Sequence, residues 1–144
     1  IGFAGTLASA SATAAAGTAS FAGVNFDKSG SLYIKAGDGT RTVCMATPIT
    51  VNPGAVSVLA ITTQPSATAT SAVNFGTQPV ITARDSLGNT VPSYVSSLTW
   101  SAYTDAGCTT GRAGTLTGAT VAAVSGVGSG SAGSALTIRL TGSS

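Results

Sequence analysis

Gln78-Pro-Val-Ile-Thr-Ala-Arg-Asp-Ser-Leu-Gly-Asn89 is the stretch on which the fold turns. Residues 78–85 read as a β-strand, and Asp85-Ser-Leu-Gly-Asn89 then supplies Gly and Asn where a reversal needs positive φ, so a hairpin tip follows. Asp85 is read as a turn cap rather than a calcium ligand, because calcium gathers about six or more oxygens and no other acid lies near in sequence.

Working outward, the same signature recurs. Segments 18–25, 31–36, 41–51, 56–63, 96–104, 115–124 and 134–141 read as short strands, each bounded by Gly, Pro, Asn or Asp. Alternation places Leu32 and Ile34 on one face and Tyr33 and Lys35 on the other. Leu98, Trp100 and Ala102 alternate likewise with Thr99, Ser101 and Tyr103, which makes Trp100 the expected core anchor. Many short strands with turn signals between them predict an all-β sandwich.

Composition excludes several alternatives. The 144 residues carry four acidic side chains, Asp27, Asp38, Asp85 and Asp105, and six basic ones, with no Glu and no His. Surface helices draw on Glu, Lys, Arg and Leu, so a helical bundle is not expected. The six basic residues are scattered rather than clustered with aromatics, which argues against nucleic acid as a partner. No run of about 18 large apolar residues predicts a membrane span, since the Ala-rich stretch 7–21 is interrupted by Ser, Thr and Gly. The sequence starts at Ile1 without a basic n-region, and it is expected to be a processed product of an exported precursor.

Catalysis has little to work with. General acid-base chemistry near neutral pH draws on His or paired carboxylates, and here the four Asp are dispersed. The Ser and Thr hydroxyls have no candidate base to activate them. A Lys-Asn or Lys-Asp isopeptide link is not expected without a Glu to move the proton. Cys44 and Cys108 are too few for a zinc site and have no His to join them. They are either free thiols or disulfide partners, and export favours disulfides. No enzyme activity, cofactor or metal is therefore expected. Tyr33, Tyr94, Tyr103 and Trp100 are the aromatics that a glycan-binding or host-binding module would use, with Tyr94 placed on a loop.

Asn52-Pro-Gly54 is the strongest break in the chain, between a strand that closes at Val51 and one that opens after Gly54. An internal repeat straddles it. Ala4-Gly-Thr-Leu7 recurs as Ala113-Gly-Thr-Leu116 at an offset of 109, and Gly30-Ser-Leu-Tyr-Ile-Lys35 recurs with one insertion as Gly133-Ser-Ala-Leu-Thr-Ile-Arg139.

These pieces resemble a known family. Pro53-Gly-Ala-Val-Ser-Val-Leu-Ala-Ile-Thr-Thr-Gln-Pro65 with Gln78–Asn89 looks like the opening half of the tandem immunoglobulin-like repeats of large bacterial surface and extracellular proteins. Ala102-Tyr-Thr-Asp-Ala-Gly-Cys-Thr-Thr110 resembles the middle of such a repeat. Gly17-Thr-Ala-Ser-Phe-Ala-Gly-Val24 with Ser29-Gly-Ser-Leu-Tyr-Ile-Lys-Ala36 resembles its closing half. The resemblance implies that residues 1–52 are the second half of one immunoglobulin-like repeat and residues 53–144 a following repeat lacking its last strand. In similar repeats a Cys in the middle bridges to one near the last strand, so each of Cys44 and Cys108 is expected to have lost its repeat-mate.

Two completions are then open. Segment 41–51 folds back to finish its own sandwich, with Cys44 bonded to Cys108 in one chain, or it reaches into another copy as a donor strand, with Arg41, Val43, Met45, Ile49 and Val51 on it. Fold-back sets residues 1–52 against 114–144 for the same places, whereas donation uses both. The expectation is an immunoglobulin-like β-sandwich completed by strand exchange: a secreted, cell-surface structural subunit that forms a head-to-tail homo-oligomer. The alternative is a stalk segment of a large surface adhesin, with a glycan or host cell as partner.

Overall fold

The computed structural model describes residues 5–129 and 137–139. The protein is all-β, with no helix among the described residues and several small antiparallel sheets. It divides into two compact units, Ile1–Gly54 with Leu87–Asn89, and Ala55–Ser86 with Thr90–Ser144.

In the first unit, β1 (Leu7–Ala8) pairs with β2 (Asn25–Phe26). β3 (Gly30–Leu32) pairs with β6 (Ile49–Val51), and β4 (Lys35–Gly37) with β5 (Thr42–Cys44). The last four strands form a single ribbon with a dislocation in it. Two residues separate Leu32 from Lys35 on one side, but four separate Cys44 from Ile49 on the other, while the Met45 amide still donates to the Ile34 carbonyl at 3.0 Å. Pro48 sits in the surplus, where it has no N–H to give a ladder. The ribbon turns at Asp38, whose carboxylate accepts the amides of Thr40 and Arg41 at 2.9 and 2.6 Å, with Gly39 at φ +91°.

The second unit contains the core. β7 (Val58–Thr63), β8 (Val80–Arg84) and β12 (Val127–Ser129) make a three-stranded sheet with β8 in the middle. β9 (Ser97–Thr99) pairs with β11 (Thr120–Ala122), and β10 (Thr115–Thr117) with β13 (Thr137–Arg139). Ile81, Leu98 and Ala123 form a buried cluster with Tyr94, Trp100 and Val121 packed against it, so the β8 and β9–β11 sheets share one core. β8 is paired along both edges, and Ile81, Thr82 and Ala83, whose side chains alternate between the two faces of the sheet, are all buried. The Thr82 hydroxyl is satisfied by Thr62 at 2.9 Å.

Several predicted strands come out differently. The 31–36 and 41–51 segments are each split by the dislocation, and 115–124 is broken at Gly118, which lies at φ +67°. Segment 18–25 is almost entirely outside strands because residues 18–20 have no neighbouring strand to pair with among the described residues. Of the predicted 134–141 strand only Thr137–Arg139 lies within the described residues, and the repeated Ala4 and Gly133 fall outside them. At the tip after β8 it is Gly88, at φ +80°, that supplies the left-handed turn. Asn89 is buried and uses its side chain instead: within the first unit its Oδ1 accepts the Ser29 amide at 3.0 Å, and its Nδ2 donates to the Asp27 carbonyl at 3.1 Å.

Candidate functional site

The face formed by the first unit is apolar and uncovered. None of the described residues between 5 and 54 is buried. Leu7 and Ile34 are shared by three open recesses of about 410, 380 and 490 Å³, and Phe26, Leu32, Ile49 and Val51 line the largest. Exposure alternates from Gly30 to Lys35, with Leu32 and Ile34 half-buried and Tyr33 61% exposed, and the half-buried apolar side chains border a space that no described residue of the unit fills. A two-stranded sheet has only one partner per strand, and a wet apolar face of this kind forgoes the burial that stabilises a sandwich.

Segment 41–51 is the second strand of the ribbon rather than a free arm. Its first part pairs with Lys35–Gly37 and its last part with Gly30–Leu32, and beyond its outer edge no strand lies among the described residues. Val43 is 68% exposed, Met45 and Ile49 are also exposed, Val51 is half-buried, and Arg41 is held at the turn by an ion pair with Asp38 at 2.9 Å. The backbone amide of Arg41, then that of Thr40, holds the Asp38 carboxyl below its ordinary value.

The second unit has an edge of similar character. Among the described residues β7 is bonded to β8 on one side only, and Val58, Leu59 and Ile61 are each about half exposed. A six-residue apolar edge strand without charges is a ready template for another strand.

Both cysteines are exposed free thiols. They are not bonded to each other, so the intrachain bridge of the fold-back alternative is not present. Cys44 ends β5 opposite Lys35. Cys108 lies at φ +54° in a loop pinned by Asp105, whose carboxylate accepts the Thr110 amide at 2.7 Å and the Thr109 amide at 3.1 Å. Those two bonds, that to Thr110 foremost, lower the Asp105 pKa.

Trp100 is half-buried against the Ile81–Leu98–Ala123 cluster, and the fully buried residue of that stretch is Leu98. Tyr94 also packs on the cluster, which leaves Tyr33 and Tyr103 as the exposed tyrosines. Among the described residues no three His, Cys, Asp or Glu side chains come together.

One site was missed by sequence reading. Residues 15–18 and 124–127 form the same two-residue hairpin. In both, paired amides and carbonyls bond at 2.8 and 3.0 Å, with central φ values of +51° and +79° at Ala16 and Gly17, and +50° and +79° at Ser125 and Gly126. The two hairpins are 109 positions apart, the offset of Ala4 and Ala113. The usual signal for such a turn, Asn-Gly or Asp-Gly, is absent, and only the shared Gly marks it.

No family model matches this sequence, and no curated protein or solved structure does either.

Proposed function

We propose that this chain is a structural subunit of an extracellular or cell-surface filament, whether pilus, fibre or sheath, in which immunoglobulin-like sandwiches are finished by β-strand donation between copies. The observation that carries the reading is the first unit's apolar face, formed by Leu7, Phe26, Leu32, Ile34, Ile49 and Val51 and left open by the described residues of that unit. The donor is the outer edge of 41–51, and its acceptor in the next copy is the open edge of β7. Both edges present exposed apolar side chains and carry few charges. Joining one surface to a different surface on the next copy does not close on itself, and so it builds a fibre. The exposed thiols of Cys44 and Cys108 staple neighbouring copies when oxidised.

Negative-stain microscopy of the concentrated protein is expected to show filaments. Non-reducing electrophoresis after oxidation is expected to show a ladder that thiol reduction collapses and that Cys44→Ser removes. Monomers at every concentration, with a single fast band, would contradict the proposal. That outcome would favour a second reading, a stalk segment of a surface adhesin, which the recurrence of one hairpin at a spacing of 109 residues supports.

A further inference from the structure

The two hairpins are one structure in two settings, and the second setting shows what the first lacks. Beyond the 124–127 turn, Val127, Gly128 and Ser129 lie opposite Thr82, Ile81 and Val80. The Ala83 amide donates to the Gly126 carbonyl at 2.8 Å, and the Gly126 amide donates to the Tyr94 carbonyl at 3.1 Å. Gly126 is pressed so close to the Val91 carbonyl that a Cβ there would overlap it. In the first unit, Thr18, Ala19 and Ser20 stand in the places of Val127, Gly128 and Ser129. They are exposed and have no strand beside them among the described residues, and Gly17, the counterpart of Gly126, has nothing within 4 Å of its Cβ position there.

One substitution between the hairpins bears on what can cover the first. A Cβ on Gly128 would collide with the Leu98 methyl and lie 3.4 Å from Val121, and Leu98 is a core residue with 3% exposure. The residue at that place in the first unit is Ala19. The 15–20 hairpin therefore does not seat on an opening half with Leu at position 98 unless that core side chain moves. This removes the competition between the two closing halves: Gly128 accepts Leu98, and Ala19 requires something smaller.

We propose that residues 18–20 are the docking edge for an extended strand of the Val80–Arg84 type, carried by a sister immunoglobulin-like opening half that has Gly, Ala or Ser in the place of Leu98. The proposal rests on reading the first unit as a closing half, and it holds whether or not copies polymerise. Alternation along an antiparallel ladder makes Ile81 and Gly128 a hydrogen-bonded pair, next after Ala83 and Gly126, so the Ala19 amide is the donor that the docked strand satisfies.

The test reads amide exchange at residues 18–20 of the isotope-labelled full chain. A synthetic peptide of residues 78–86, which has no Leu98 to clash, is expected to slow exchange at Ala19 by about tenfold or more, and the same peptide with Ile81→Pro to have no effect. In a second arm, Gly128→Ala in the full chain, which puts the side chain of Ala19 in the second hairpin's place, is expected to speed exchange of the β8 and β12 amides about tenfold, and the same change in a Leu98→Val background, which lacks the colliding methyl, to have little further effect. No protection of residues 18–20 by the peptide overturns the proposal, as does a Gly128→Ala effect that is the same in both backgrounds. A filament seen without this protection, or this protection without filaments, separates this proposal from the polymer reading.

Discussion

The hairpins at 15–18 and 124–127 match in turn angles and hydrogen-bond lengths, yet one is pressed into a sandwich and the other stands in solvent. The contrast extends to the units that hold them. The second unit buries Ile81, Leu98 and Ala123 together, whereas the first has apolar side chains of the same kinds around open recesses. Local turn chemistry is thus enough to shape a hairpin, and burial depends on what packs against it. On the proposed reading, function resides in the strands that another copy supplies.

Mutations sharpen that contrast, beginning with the core. Leu98→Ala is expected to cost the second unit about 2–5 kcal/mol, because it leaves a cavity beside Ile81 and Val121. Leu32→Ala is expected to cost the first unit less than about 1 kcal/mol, since the side chain is already half in water. Urea titration followed by the Trp100 emission measures the first change, and exchange of the β3 and β6 amides the second. Equal costs would break the comparison.

The paired glycines come next. Gly17 and Gly126 share a φ of +79°, so Ala at either place pays the left-handed penalty of about 1–2 kcal/mol. Only at Gly126 does the new Cβ also meet a backbone carbonyl, that of Val91, which adds about 1–3 kcal/mol. The difference in stability between Gly126→Ala and Gly17→Ala in the dispersed protein measures how much closer packing surrounds the second hairpin. If assembly covers the first hairpin, the difference shrinks in filaments.

Acid has the smallest effect. Asp38 and Asp105 have folded pKa values below 3.8, so the order they give their loops is complete above that pH and fades as pH falls through the lower folded values. The amide resonances of Arg41 and Thr110 are expected to move together with their own carboxylate, and Asp105→Ala, which removes the acceptor, is expected to free the Thr110 amide at all pH values. Unchanged Thr110 exchange in that variant would remove Asp105 as the pin of the Cys108 loop.

Much of this was readable from the residues. The strand and tip at 78–89 stand where the pattern puts them, and burial alternates along 97–103 as the apolar spacing requires. The dislocation in the ribbon was not legible, because an apolar alternation does not register two surplus residues until a partner strand is laid beside it. Nor was the exposure of residues 18–20, since a strand-like sequence becomes a strand only where another supplies its hydrogen bonds. The residues put Tyr94 on a loop and make it a candidate for binding, but a loop residue can also pack inward, as Tyr94 does on the Ile81–Leu98–Ala123 cluster. The matched hairpins escaped detection because their turn residues, Ala-Gly and Ser-Gly, lack the Asn or Asp that usually announces positive φ.

Hydrogen exchange of the whole chain at high dilution and again after concentration tests the central claim most directly. The amides of β8 are expected to be protected in both samples. Those of β3, β5 and β6 are expected to exchange quickly when dilute and to gain protection when copies meet. Protection of the first unit equal to that of β8 in the dispersed protein, unchanged on concentration, would mean that this half is already complete by itself and would contradict the account.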